Sequence, residues 1–154
     1  MYSAVVDFTN ILVAALLVGT MFGVWLVFNP AGLSGSNYLA VQQQGIRTLH
    51  PVMPALGAVT ILVTIAASVL GRENRTRLWL LIAAVTCFAA AGLITRFRNM
   101  PINSIVITWS GDSLPANWTG LRDGWWRWHC IRLIAGLAGF SLVIAAALRR
   151  VWIG

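Results

Sequence analysis

Three stretches of the chain carry side chains whose types and spacing could do chemistry together. Arg122, Trp125, His129 and Arg132 follow at steps of three, four and three, so a helix would show all four on one face. Gln43, Arg47, His50 and Pro54 follow at steps of four, three and four, again one helical face. Arg96 and Asn99 are three apart, and Asn103 comes next. Arg47, Arg122 and Arg132 offer permanently charged forks that suit a phenolate, enolate, carboxylate or peroxide. Trp118 and Trp125 offer flat faces for an aromatic ligand. His129 and His50 exchange protons near neutral pH. Asp112 and Asp123 are expected to neutralise neighbouring arginines. On these grounds His129, Arg122 and Arg132 are the expected catalytic groups. Arg47, His50, Asn99, Asn103, Trp118 and Trp125 are the expected substrate contacts.

Metal chemistry is the competing reading, with His50 and His129 as ligands to iron, copper or haem. No carboxylate pair accompanies them, arginines surround them, and their spacing fits no compact ligand motif. No metal and no cofactor is therefore expected. Cys87 and Cys130 lie apart, form no CxxC, and read as small apolar core residues.

Such residues need elements to hold them, and composition says what kind. The 154-residue chain is 58% hydrophobic and 10% charged, where a soluble domain carries roughly 25% charged residues. A hydrocarbon layer of about 30 Å takes about 20 apolar residues as helix. Four stretches qualify, giving expected helices at about 5–28, 38–71, 77–99 and 121–150. Lipid offers the backbone no hydrogen-bond partner, so spans must be helices or a closed barrel, and the alternation of a barrel is missing. The expected fold is all-α: one domain over 1–154, a four-helix antiparallel transmembrane bundle. A long loop over 98–120 joins helices three and four, with Pro101 stopping the third helix. Ile105-Val106-Ile107-Thr108 reads as a short extended segment in that loop. The N-terminal run has no basic leader and is too long for a cleaved signal.

All 11 basic residues are arginine and the net charge is +7. The arginines stand at the ends of apolar runs, which argues against a nucleic-acid partner. Arg72, Arg75, Arg77, Arg149 and Arg150 share one end, which the positive-inside rule makes cytoplasmic together with both termini, in a plasma or inner membrane. The other end holds Arg47, Arg96, Arg98, Arg122, Arg127 and Arg132, several of them site candidates rather than topology signals. There Arg127, Trp126 and Trp128 read as an interfacial belt. Asp7, near the N-terminus, is expected to be solvated. Ala15, Gly19 and Gly23 on helix one, and Ala135 and Gly139 on helix four, mark expected helix contacts. The expected partners are the bilayer and a hydrophobic small molecule, with a homo-oligomer allowed.

Trp118-x2-Leu121-Arg122-x2-Trp125-x3-His129-x2-Arg132 resembles the C-terminal signature of the DUF1772, or anthrone oxygenase-like, membrane proteins. Asn99-x-Pro101-Ile102-Asn103 resembles that family's N-x-P-I-N motif after its third helix. Gln42 or Gln43 with His50-Pro51 to Met53-Pro54 is similar to its second-helix start, and Phe22-Gly23 to its first-helix pattern. The family often has asparagine where this chain has His129 and His50. The resemblance implies a cofactor-independent oxygenase that turns an anthrone, or another polycyclic or phenolic compound, into a quinone. The alternative is a non-enzymatic binder, transporter or accessory subunit; helix one lacks the central glutamate of small exporters.

Overall fold

A computed structural model describes residues 2–111 and 114–151, and these are helical with short connections. The elements are α1 (Tyr2–Val27), a 3-10 turn (Pro30–Gly32), α2 (Gly35–Leu49), α3 (Val52–Leu70), α4 (Arg75–Ile94), a π-helical turn (Thr95–Asn99), α5 (Met100–Val106) and α6 (Trp118–Val151). Four helical stretches are long and apolar enough to cross a membrane: Ala4–Gly32, Val52–Leu70, Arg75–Val106 and Trp118–Arg149. They fit an integral membrane protein. Large side chains on all four point outward, among them Leu12, Leu62, Leu93 and Ile134, as lipid-facing helices require.

Local chemistry sets the breaks. Asn29 Oδ1 accepts from the Ala31 N–H and caps the 3-10 turn that ends the first span. Ser34 and Asn74 are the N-caps of α2 and α4, accepting from the Asn37 and Arg77 N–H groups. The single helix expected over 38–71 is two helices, because Pro51 and Pro54 each lack a donor and permit only the start of a new helix there. Pro101 does not stop the third helix as expected. The chain widens into the π-helical turn just before it and continues as α5 with proline in its first turn. The connection expected over 98–120 is therefore shortened to 107–117. Its start is no extended segment: Ile105 and Val106 finish α5 and Ile107–Thr108 form a turn.

The long helices form a closed ring, α1 against α3, α3 against α4, α4 against α6, and α6 against α1. Ala14, Leu17, Leu81, Phe88, Leu133 and Val143 fill its centre. The most extensive packing is between α4 and α6, where a β-carbon on Gly139 would lie 2.9 Å from the Phe88 ring. By contrast a β-carbon on Gly19 or Gly23 would meet nothing within 4 Å, so these two glycines make no close helix approach, and Gly23 lines a cavity instead. Polar contacts add to the α1–α3 seam, where buried Thr64 donates to Asn10 Oδ1 at 2.8 Å. Asp7 is not solvated: its carboxylate is paired with the guanidinium of Arg77, and both side chains are largely buried. Arg77 is thus a clamp between α1 and α4 rather than a topology signal.

Candidate functional site

At the end of the bundle away from Asp7 and Arg77, a cavity of about 310 Å³ lies among α1, α2, α3, the π-helical turn and α6. Its wall is mostly apolar, from Met21, Val24 and Phe28 of α1, Val41 and Ile46 of α2, and Met53 of α3. The polar wall is Thr20, Gln42, His50, Thr95, Asn103, His129 and Arg132.

His129 organises this wall. It is fully buried. Its Nε2 lies 3.1 Å from the carbonyl oxygen of Met21. A carbonyl only accepts, so Nε2 carries the proton and donates. Nδ1 then holds the lone pair, and it accepts from Arg132 Nε at 3.2 Å and Nη2 at 2.8 Å. Trp125 stacks on the ring with planes 1° apart and centroids 5.2 Å apart, and Trp126 stacks at 5.6 Å. The imidazole is fixed in one plane and one tautomer, with both nitrogens engaged.

Arg132 is held from a second side. Its Nη1 donates to Thr95 Oγ1 at 3.1 Å, while that hydroxyl donates to the Ala91 carbonyl at 2.8 Å. Its guanidinium carbon lies 5.9 Å from the Trp125 ring centroid. All these partners are neutral. Among the described residues, ion pairs join Arg77 to Asp7 and Arg122 to Asp123, and none reaches Arg132. Arg132 is thus a half-buried cation aimed into an apolar cavity without an anion.

The amides have separate duties. Gln42 Nε2 donates to Asn103 Oδ1 at 3.2 Å, and both residues line the cavity. Gln43 instead caps the end of α5, its Nε2 donating to the Val106 and Trp109 carbonyls at 3.0 and 2.9 Å. Asn99, buried in the π-helical turn, donates to the Trp125 carbonyl at 3.0 Å and ties that turn to α6.

Of the residues expected from sequence, His129, Arg132, His50, Asn103 and Trp125 come together around the cavity. Arg122, Arg47, Asn99 and Trp118 do not line it. Arg122 pairs with Asp123 and lies 5.0 Å above Trp118, and Arg47 is exposed. The cavity therefore presents one arginine, not an arginine cluster. Asp112 lies outside the described residues. Trp118 lies against Tyr38, with ring centroids 5.7 Å apart and planes tilted by 31°. Burial pushes the Tyr38 phenol up to about 12, opposed by the Arg122 charge, so it stays protonated and is no base. Sequence reasoning missed Thr95 and the Met21 carbonyl. Thr95 could have been found as a hydroxyl four residues before Asn99 on the same helix; a backbone carbonyl leaves no residue-type signal.

No group of three or more His, Cys, Asp and Glu side chains gathers as a metal site among the described residues.

With the geometry in place, comparison with known sequences is informative. The Anthrone oxygenase family matches residues 44–142, well over half of the chain. The chain belongs to the Anthrone oxygenase family. The match runs from the end of α2 into the second half of α6. It therefore includes His50, Thr95, Asn103, Trp125, His129 and Arg132, whereas the α1 wall and the Met21 carbonyl lie outside it. No curated protein and no solved structure matches the chain.

Proposed function

We propose that this member of the Anthrone oxygenase family is a cofactor-independent oxygenase acting on an anthrone-like or other polycyclic phenolic compound dissolved in the membrane. The observation that carries this reading is Arg132: a guanidinium held by His129 and Thr95, facing an apolar cavity, with no carboxylate to neutralise it. A group of this kind stabilises a negative oxygen that develops on a flat apolar ligand, and it does so strongly where water is scarce.

The reaction needs little more. Removal of a proton from the ring methylene gives an anthrolate whose negative charge rests on the carbonyl oxygen, beside Arg132. This carbanion gives up electrons to dioxygen, and a peroxide forms at the same carbon. The O–O bond then breaks with loss of water and leaves the second carbonyl. In sum, one CH₂ and one O₂ become one C=O and one H₂O. We assign proton removal to His50, which lines the cavity and makes no side-chain hydrogen bond among the described residues. His129 holds Arg132 in place, since neither of its nitrogens is open to a substrate. The antiparallel arrangement of the spans, with both termini cytoplasmic, belongs to the same proposal.

A binder without chemistry is the second reading, and the engaged nitrogens of His129 favour it. Purified protein in lipid nanodiscs, mixed with an anthrone in oxygenated buffer, separates the two. Quinone forming above the rate of empty nanodiscs supports the oxygenase. A rate equal to empty nanodiscs, with the anthrone bound, leaves only the binder.

A further inference from the structure

A second cluster lies outside the cavity. Arg98, in the π-helical turn, and Arg127, on α6, are both exposed. Their guanidinium carbons lie 4.7 and 5.6 Å from the ring centroid of the same half-buried tryptophan, Trp128. The two cations are therefore within about 10 Å of each other. No hydrogen bond or ion pair to another side chain satisfies either one among the described residues, whose ion pairs are Arg77–Asp7 and Arg122–Asp123. Two like charges gathered on one indole, with no carboxylate between them, call for an external anion.

Helix lengths say where that anion is. From exposed Arg75 to Arg98 the helix rises about 35 Å, and from exposed Arg149 to Arg127 about 33 Å, at about 1.5 Å per residue. Both distances slightly exceed the hydrocarbon thickness of about 30 Å. If Arg75 and Arg149 stand in one headgroup layer, Arg98 and Arg127 stand in the other. Phosphate oxygens lie at that depth, and guanidinium forks bind them in bidentate fashion. Trp128 also belongs at this boundary.

We propose that Arg98, Arg127 and Trp128 form a seat for the headgroup phosphate of an anionic phospholipid. It is separate from the cavity and does not depend on the oxygenase reading. The seat fixes the π-helical turn and α6 at one depth beside the cavity.

Delipidated full-length protein in a neutral detergent, titrated with phosphatidylglycerol or phosphatidylcholine and read by native mass spectrometry, tests this. Each arginine near a charged lipid surface is worth about fivefold in binding, so the pair gives about thirtyfold. The tightest phosphatidylglycerol site should weaken by that factor in the Arg98→Gln/Arg127→Gln variant. It should hold in Arg72→Gln/Arg75→Gln, which loses the same charge at the other end, and millimolar inorganic phosphate should not displace the lipid. Equal weakening in both variants, or none in either, overturns the seat. Displacement by inorganic phosphate overturns the lipid assignment in favour of a free anion. Where the glutamine variant cannot be purified, the wild-type protein decides: phosphatidylcholine bound as tightly as phosphatidylglycerol also overturns it.

Discussion

Arg132 Nη2 lies 2.8 Å from Nδ1 of His129, while the other nitrogen of that ring faces the Met21 carbonyl at 3.1 Å. The imidazole is thereby a bracket between α1 and α6, and its lone pair is spent on holding a guanidinium. A base must keep its lone pair for the substrate.

The first prediction follows from that bracket. Asparagine and glutamine each carry one acceptor and one donor, so either can bridge Arg132 and a carbonyl. His129→Asn or His129→Gln should retain turnover within about tenfold of wild type, whereas His129→Phe should lose about 100-fold or more, the effect of a lost oxyanion group. Steady-state quinone formation measures this. Loss of activity in all three variants equally would return His129 to the role of base.

Thr95 should act through Arg132. Thr95→Val keeps the shape and removes the acceptor for Nη1. About 1 kcal/mol of hydrogen bonding is lost, so kcat should fall about fivefold to tenfold, and Thr95→Ser should restore it. A fall confined to KM would argue against a positioning role.

His50 is assigned the proton transfer, and His50→Gln should lower kcat by about 100-fold or more, the usual scale of general base catalysis. Binding of the anthrone without oxygen should change little. An unaltered rate would move the base elsewhere.

Stability is separate from the site. Asp7→Asn leaves the Arg77 guanidinium buried with a weakened partner. Removing one member of a buried pair costs about 3 kcal/mol. The melting temperature in detergent should fall markedly, while ligand binding in nanodiscs below that temperature stays intact. A parallel loss of binding would tie the clamp to the cavity.

Much of this arrangement was legible in the residues. Apolar length alone marked the four spans, because lipid leaves a backbone few choices. Helical spacing brought Trp125, His129 and Arg132 to one face, and they do meet. The same periodicity misled at Arg122, which shares that face but finds Asp123 as its partner instead. Gln43 shows a further limit: its type suggested a site, yet it caps the end of α5. The π-helical turn was invisible because a proline reads as a stop, although a widened turn before it lets the helix pass. That turn holds Thr95 and Asn99.

The central claim is that Arg132 holds negative charge on a flat ligand. An anaerobic absorbance titration of an anthrone with the protein in nanodiscs tests it most directly, because the anthrolate and the keto form absorb at different wavelengths. The account predicts the anthrolate spectrum with wild-type protein and the keto spectrum with Arg132→Met. Neutral anthrone bound alike by both proteins would contradict it.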